Sequence, residues 1–276
     1  LNYLLIFGKC GLPALGIQGA AVATVLARIT EFAVCSFCAV RSRLLPIQWR
    51  AFFRPGWEML RRFVKYSSPV ILNETAWGLG NSMLTVILGY TDNSVEMLAA
   101  NAVMGNLNRL FLVVCFGLGA ATAVIIGKSI GEGRSHQEVM DLSRTLLVFT
   151  ALVGTGLTAL SLLLVPTLFV PVVFPLFKLY GESAAIATAL AVTGFLSIPL
   201  HAYSISAVTG VLRAGGDVFW STLLDVGPQW CMALPRTALL ALVRKADYWW
   251  IAAAIQSESL LKVPLCALRI RTGQWI

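Results

Sequence analysis

The sequence predicts an all-α protein, a polytopic membrane helix bundle of seven complete transmembrane helices plus a partial one. Two observations carry that prediction. Hydrophobic residues make up 58% of the 276 and charged ones only 12%, where a soluble domain carries about a quarter charged residues. The apolar residues also fall in blocks, at 17–40, 66–90, 98–127, 143–165, 184–212, 217–242 and 247–270. Each block matches the ~20 residues that cross a ~30 Å hydrocarbon core as helix.

A shorter block, Leu1 to Phe7, opens the chain without a Met and reads as the end of a further span. The chain is therefore expected to be a piece of a longer protein. A cleaved signal peptide does not fit, because no basic segment precedes the block.

The net charge of +8 points to the membrane rather than to nucleic acid, because of where the charges sit. With the 41–65 loop placed in the cytoplasm, the inner loops take Arg41, Arg43, Arg50, Arg54, Arg61, Arg62, Lys65, Lys128, Arg134, Arg144, Arg213, Arg269 and Arg271. The outer loops take only Lys9, Lys178, Arg244 and Lys245. Basic residues collect on the cytoplasmic side of membrane proteins, so the C-terminus is expected there. The cysteines are scattered. Cys35-x-x-Cys38 has redox or zinc spacing but lies in an apolar helix without a second ligand pair, so no metal site is expected.

In the first helix, Gly16, Gly19, Ala20, Ala23 and Thr24 let a neighbouring helix come close. Arg28 and Glu31, at i, i+3, can neutralise each other. The 41–65 loop mixes basic residues with Trp49 and Trp57, which suits either a segment lying on the anionic inner leaflet or a plain tether between two bundles.

The span 66–90 holds Asn73, Glu74, Trp77 and Asn81 on overlapping stripes. A carboxylate at that depth costs a few kcal/mol, about 2.5–3.5 on insertion scales, and marks a functional site. The span 98–127 carries Asn101 and Asn108 at i, i+7, either lining a cavity or bonding helix to helix. The run 126–138, IGKSIGEGRSHQE, lacks the order of a phosphate loop and reads as a turn. Span 143–165 has no buried charge and is expected to pack toward lipid. Span 184–212 has a polar middle, Pro199, His201, Tyr203 and Ser204, as expected of a helix beside a wet cavity. In the last pair Glu258 and Lys262 stand at i, i+4 and can satisfy each other. That leaves Glu74 and Asp225 without a basic partner on their own helices. At 1.5 Å per residue, Glu74, Asp225 and His201 fall in one layer, the depth at which transporters hold coupling ions. Such an acid can exchange a proton, or share a sodium ion with amide and hydroxyl oxygens.

Four runs, NYLLIFGKCGLPALGIQGAAVATVL (2–26), PVILNETAWGLGN (69–81), FGLGAATAVIIGKSIGEG (116–133) and GVLRAGGD (210–217), resemble in order and spacing the multidrug and toxic compound extrusion (MATE) family of cation-coupled exporters. The resemblance implies a fragment of a two-lobe, twelve-helix transporter. Residues 1–40 would end the N-terminal lobe, 41–65 would link the lobes, and 66–276 would form the C-terminal six-helix lobe. The rest of the N-terminal lobe would be the missing partner.

It further implies a non-enzymatic antiporter that exports organic, drug-like cations, with a coupling H+ or Na+ in place of a cofactor. Glu74 would match the coupling acid of the first C-lobe helix. Where some members carry a second acid, this chain has His201, Ala202, Tyr203 and Ser204, which favours a proton over sodium. The expected coupling residues are thus Glu74, Asp225 and His201, and the expected lining is Asn73, Trp77, Asn81, Asn101, Asn108, Tyr203 and Ser204. A lipid-linked saccharide flippase of the same superfamily is the alternative, and would need a more basic cavity than Arg28, Arg109 and Arg236 supply. A non-functional transporter fragment is another, and an intramembrane enzyme built on His201 lacks a second catalytic group at fixed spacing.

Overall fold

A computed structural model describes residues 2–8, 13–41 and 56–276. Most of the 41–65 loop, including Trp49 and Pro46, lies outside the described residues, as does Lys9. Among the described residues every regular element is helical. The chain forms two compact units, Leu1–Phe63 and Val64–Ile276.

In the first unit, α1 (Asn2–Phe7) packs on the start of α2 (Gly16–Arg41). The Leu15 amide donates to the Leu5 carbonyl at 3.0 Å. A Cβ on Gly19 would stand 2.5 Å from that same carbonyl oxygen, so the close approach expected of the small residues is made at Gly19. Arg28 and Glu31 form the expected pair at 2.7 Å, in the open. Cys35 and Cys38 are both exposed on α2.

The second unit takes in α3 (Trp57–Gly89) from Val64 onward, then α4 (Ser94–Gly131), α5 (His136–Leu176), α6 (Glu182–Leu196), α7 (Ile198–Leu212), α8 (218–243) and α9 (Tyr248–Arg271). The α4–α5 turn closes on Gly133 in the left-handed region, φ 71°, where only glycine sits without strain. Helix α5 then starts on a capping box. Ser135 Oγ accepts from the Glu138 amide at 3.3 Å, and the Glu138 carboxylate accepts from the Ser135 amide at 3.2 Å, which satisfies two of the donors a helix start leaves free. Helices α6 and α7 form one apolar segment bent by 46°, with the break at Ser197 and Pro199, as the proline predicts.

Helix α5 differs from its expected lipid-facing character on one side. Ser143, Thr150, Gly154, Thr158 and Ser161 make a buried stripe of small residues. Thr158 Oγ1 donates to the Phe195 carbonyl of α6 at 2.8 Å. The opposite face carries Val148, Leu152 and Leu163 in the open, as lipid contact requires.

Two apolar clusters fill the unit. One lies toward the α3–α4 turn and is built on Leu88, Met104, Phe169, Phe174 and Phe195. The other lies toward the α4–α5 turn, on Ile126, Val139, Val208, Leu212 and Cys266. Trp275 closes the second cluster. Its indole is 1% exposed, donates to the Ile270 carbonyl at 3.2 Å, and sits where a Cβ on Gly215 would be 2.4 Å away.

Among the described residues four helices, α2, α4, α5 and α9, are by length and composition able to cross a membrane, and the bent pair α6–α7 makes five. The sequence blocks suggested seven. The difference has one physical source, polar residues that lower the hydropathy: Asn73, Glu74 and Asn81 on α3, and Asp225, Gln229 and Arg236 on α8, which also carries π-helical turns at Gln229–Ala233 and Leu239–Val243. Such turns widen the helix locally and are frequent at functional sites.

Candidate functional site

Within the second unit α3, α4, α7, α8 and α9 enclose a cavity of about 260 Å³. Its charged and polar lining is Glu74, Asn81, His201, Ser204, Thr209, Arg213, Asp225, Gln229, Gln256, Glu258 and Lys262, beside Trp77, Leu112 and Phe116. The three sequence-selected ionisable residues, Glu74, Asp225 and His201, therefore reach one space.

Helix α3 is held to α8 by polar contacts at successive levels. Thr222 Oγ1 donates to the Pro69 carbonyl at 3.1 Å, Asn73 Nδ2 to Asp225 Oδ2 at 2.9 Å, and Trp230 Nε1 to the Ala76 carbonyl at 3.1 Å. Above these the Gln229 amide lies flat on Gly80, where a Cβ would come within 2.6 Å of it. The partners on α8 recur at i, i+3 and i+7 or i+8, one face of a helix. This register splits the expected stripe. Asn73 and Gly80 turn to α8 and are buried, while Glu74, Trp77 and Asn81 face the cavity.

The acids are not unpaired. Arg213 Nη1 stands 3.5 Å from Glu74 Oε1, and Lys262 Nζ stands 3.1 Å from Asp225 Oδ1 and 3.6 Å from Glu258 Oε1. Neither partner lies on its acid's own helix, Lys262 being on α9 and Arg213 in the turn after α7, which sequence spacing cannot register. Lys262 was expected to serve Glu258 alone, and in the structure it lies closer to Asp225. The two acids also differ in access: the Glu74 side chain is 61% exposed, that of Asp225 23%, and the ammonium of Lys262 belongs to a side chain only 5% exposed. Glu74 is thus the accessible carboxylate, and Asp225 the enclosed one. Three carboxylates against two cations leave one formal negative charge on the lining.

His201 is held by α9. Its Nδ1 lies 3.1 Å from Ser259 Oγ and its Nε2 3.3 Å from Gln256 Oε1, which also accepts from Ser197 Oγ at 3.0 Å. Ser204 lines the cavity and donates to the Leu200 carbonyl at 2.7 Å.

Asn101, Asn108 and Tyr203, expected in the lining, are not there. Asn108 fills the space against α6 opposite Gly194, where a Cβ would be 2.8 Å from its Nδ2. It is a helix-to-helix contact, one of the two roles its spacing allowed. Tyr203 packs on the apolar cluster near Trp275, and Asn101 is half-buried away from the cavity. The sequence reading missed Arg213, Gln229, Gln256, Ser259 and Lys262. Arg213 was counted as a loop charge because it sits in a glycine-rich turn, yet its side chain reaches inward. Its Nε and Nη2 are buried without a partner among the described residues.

No protein-family model matches the chain. It is 27% identical over 286 residues to the multidrug resistance protein MdtK of Edwardsiella ictaluri, covering 98% of this chain and 59% of the relative. With the probable multidrug resistance protein NorM of Geobacillus kaustophilus it shares 27% over 266 residues, covering 90% of this chain and 54% of that one. The crystal structure of MATE in complex with MaL6 superposes with a TM-score of 0.81 at 18% identity, over 99% of this chain and 61% of that one. The chain spans about half the length of the curated relatives it matches. Its sequence is thus similar to those of these multidrug resistance proteins, and its all-helical fold is that of the MATE transporter structure.

Proposed function

We propose that this chain forms the C-terminal lobe, with the end of the N-terminal lobe, of a cation-coupled antiporter that exports organic cations by alternating access. On this reading α2 through α9 supply seven spans, α6 and α7 together forming one, with the C-terminus in the cytoplasm. The remainder of the N-terminal lobe closes the cavity. The observation that carries the reading is Glu74: an accessible carboxylate on the cavity wall, beside Trp77 and within 3.5 Å of a guanidinium. A carboxylate so placed can exchange Arg213 for a substrate cation or for the coupling ion, proton or sodium, and a substrate ammonium also gains from an aromatic face. Asp225 and His201 belong to the same polar lining and are proposed to adjust the field at Glu74.

The flippase alternative draws no support from the lining. Arg28, Arg109 and Arg236 are outside it, and Arg213 and Lys262, which are inside it, are each matched to a carboxylate.

The test is Glu74→Gln in drug-sensitive cells expressing the natural reading frame that contains this chain. Loss of resistance at unchanged membrane abundance is the expected result. Resistance equal to wild type removes Glu74 from coupling.

A further inference from the structure

The enclosed half of the polar cluster has a different character from Glu74. Lys262 Nζ has Asp225 Oδ1 at 3.1 Å and Glu258 Oε1 at 3.6 Å. Asp225 Oδ2 is in turn bonded by Asn73 Nδ2 at 2.9 Å. Asn73 is 1% exposed, and its Oδ1 is buried with no partner among the described residues. Two carboxylates, contributed by α8 and α9, thus gather about a single ammonium, and the buried α3 amide holds one of them. Two carboxylates this close repel unless a positive charge stands with them. The charge is supplied by a side chain that is 5% exposed and cannot diffuse away.

We infer that Asp225 and Glu258, with Asn73 holding Asp225 in place, form a monovalent-cation site and that Lys262 is its permanent occupant, a tethered ammonium standing where a free alkali ion would bind. Three features favour this over a merely structural ion pair. The ammonium is shared between acids on two helices and does not close a single bidentate pair. The oxygen donors around it are hard ligands of the kind that alkali and alkaline-earth ions take. An unbonded carbonyl oxygen also remains on the very amide that holds Asp225. A single positive charge restores what Lys262 contributes, so the class of ion is monovalent. In the native protein the site is already filled, and added sodium or potassium has nothing to bind there. This inference concerns binding and does not rest on the transport reading, so the two can fail separately.

The experiment uses the natural reading frame containing this chain, purified in detergent as wild type and as Lys262→Ala. Unfolding midpoints are read from tryptophan fluorescence in sodium, potassium and choline chloride at equal ionic strength, and in magnesium chloride. For wild type the difference between the midpoints in sodium or potassium and in choline is the baseline, which includes any ion bound at Glu74. For Lys262→Ala the midpoint is expected to fall in choline and to rise in sodium or potassium by at least about 2 °C more than that baseline, because an ion that binds only the folded state stabilises it. Adding Asp225→Asn to that variant is expected to abolish the response. Should Lys262→Ala fail to fold in choline, its recovery as a monodisperse protein only when sodium or potassium is present throughout makes the same point. The inference is overturned by a wild type that sodium or potassium stabilises as much as the variant. A variant indifferent to both ions, unrecoverable with either, or responsive only to magnesium overturns it equally.

Discussion

Two glycines a half-turn apart on α5 make opposite predictions. At Gly154 an added Cβ would stand 2.8 Å from the Pro199 Cα and 3.0 Å from the Ala202 Cβ of α7, whereas at Gly156 it meets nothing within 4 Å. Relief at Gly154 requires α5 and α7 to part by roughly 0.6–1 Å, since the obstacles are backbone and a Cβ on a packed helix. Overpacking of that kind costs about 1–3 kcal/mol. Replacing a helical glycine by alanine returns about 0.5–1 kcal/mol through reduced freedom of the unfolded chain. Gly154→Ala should therefore destabilise by roughly 0.5–2 kcal/mol, and Gly156→Ala should stabilise by about 0.5–1 kcal/mol. The assay is thermal unfolding in detergent with a thiol-reactive dye, because Cys115 and Cys266 are fully buried and report the loss of the fold. At about 2–4 °C per kcal/mol the two variants should straddle wild type. A Gly154→Ala midpoint at or above that of Gly156→Ala would refute the close α5–α7 contact.

Two further predictions concern charge and capping. Asp225→Ala should lower stability by about 1–3 kcal/mol, because it removes the nearer of the two carboxylates on a buried ammonium and leaves the Asn73 amide without its acceptor, while replacing all three ions, Asp225→Leu, Lys262→Met and Glu258→Leu together, should lie within about 1 kcal/mol of wild type or above it. Guanidinium unfolding followed by circular dichroism tests the cluster, and a triple variant less stable than the single one contradicts the assignment. Ser135→Ala removes one arm of the capping box and should cost about 1 kcal/mol. Hydrogen exchange at the first turn of α5 should speed up accordingly, and unchanged exchange at Glu138 and Val139 argues against the cap.

The features legible in the sequence are those that depend on one helix at a time. The block lengths marked the helices, Gly19 marked a close approach, and the isolation of Glu74 in an apolar run marked the cavity wall, whereas the bend between α6 and α7 falls inside what reads as a single span, 184–212. Features that depend on two helices were hidden. Asp225 looked unpaired because Lys262 sits on the next helix, and Lys262 looked committed to Glu258 because that residue is four positions away. Arg213 was taken for a loop residue, since counting residues locates a Cα and not the end of a long side chain, which can reach several ångströms toward an acid. Asn108 illustrates the reverse error. Its stripe suggested a cavity, and the small residue opposite it, Gly194, decides the matter in favour of packing.

The fastening of α3 has a mechanical meaning. Along the stretch from Pro69 to Gly80 it is joined to α8 by single bonds to Thr222, Asp225 and Trp230 and by the resting amide of Gln229, while its greasy anchorage lies at Leu84, Ile87 and Leu88 toward the far end. Parting an apolar seam exposes oil to water and is opposed across the whole area at once. Parting a row of hydrogen bonds beside a wet cavity only trades one partner for another, at about 0.5–1.5 kcal/mol apiece. Helix α3 is therefore built like a buttoned flap hinged at one end: its inner half can come undone one fastening at a time while the sealed end keeps the rest of the bundle dry.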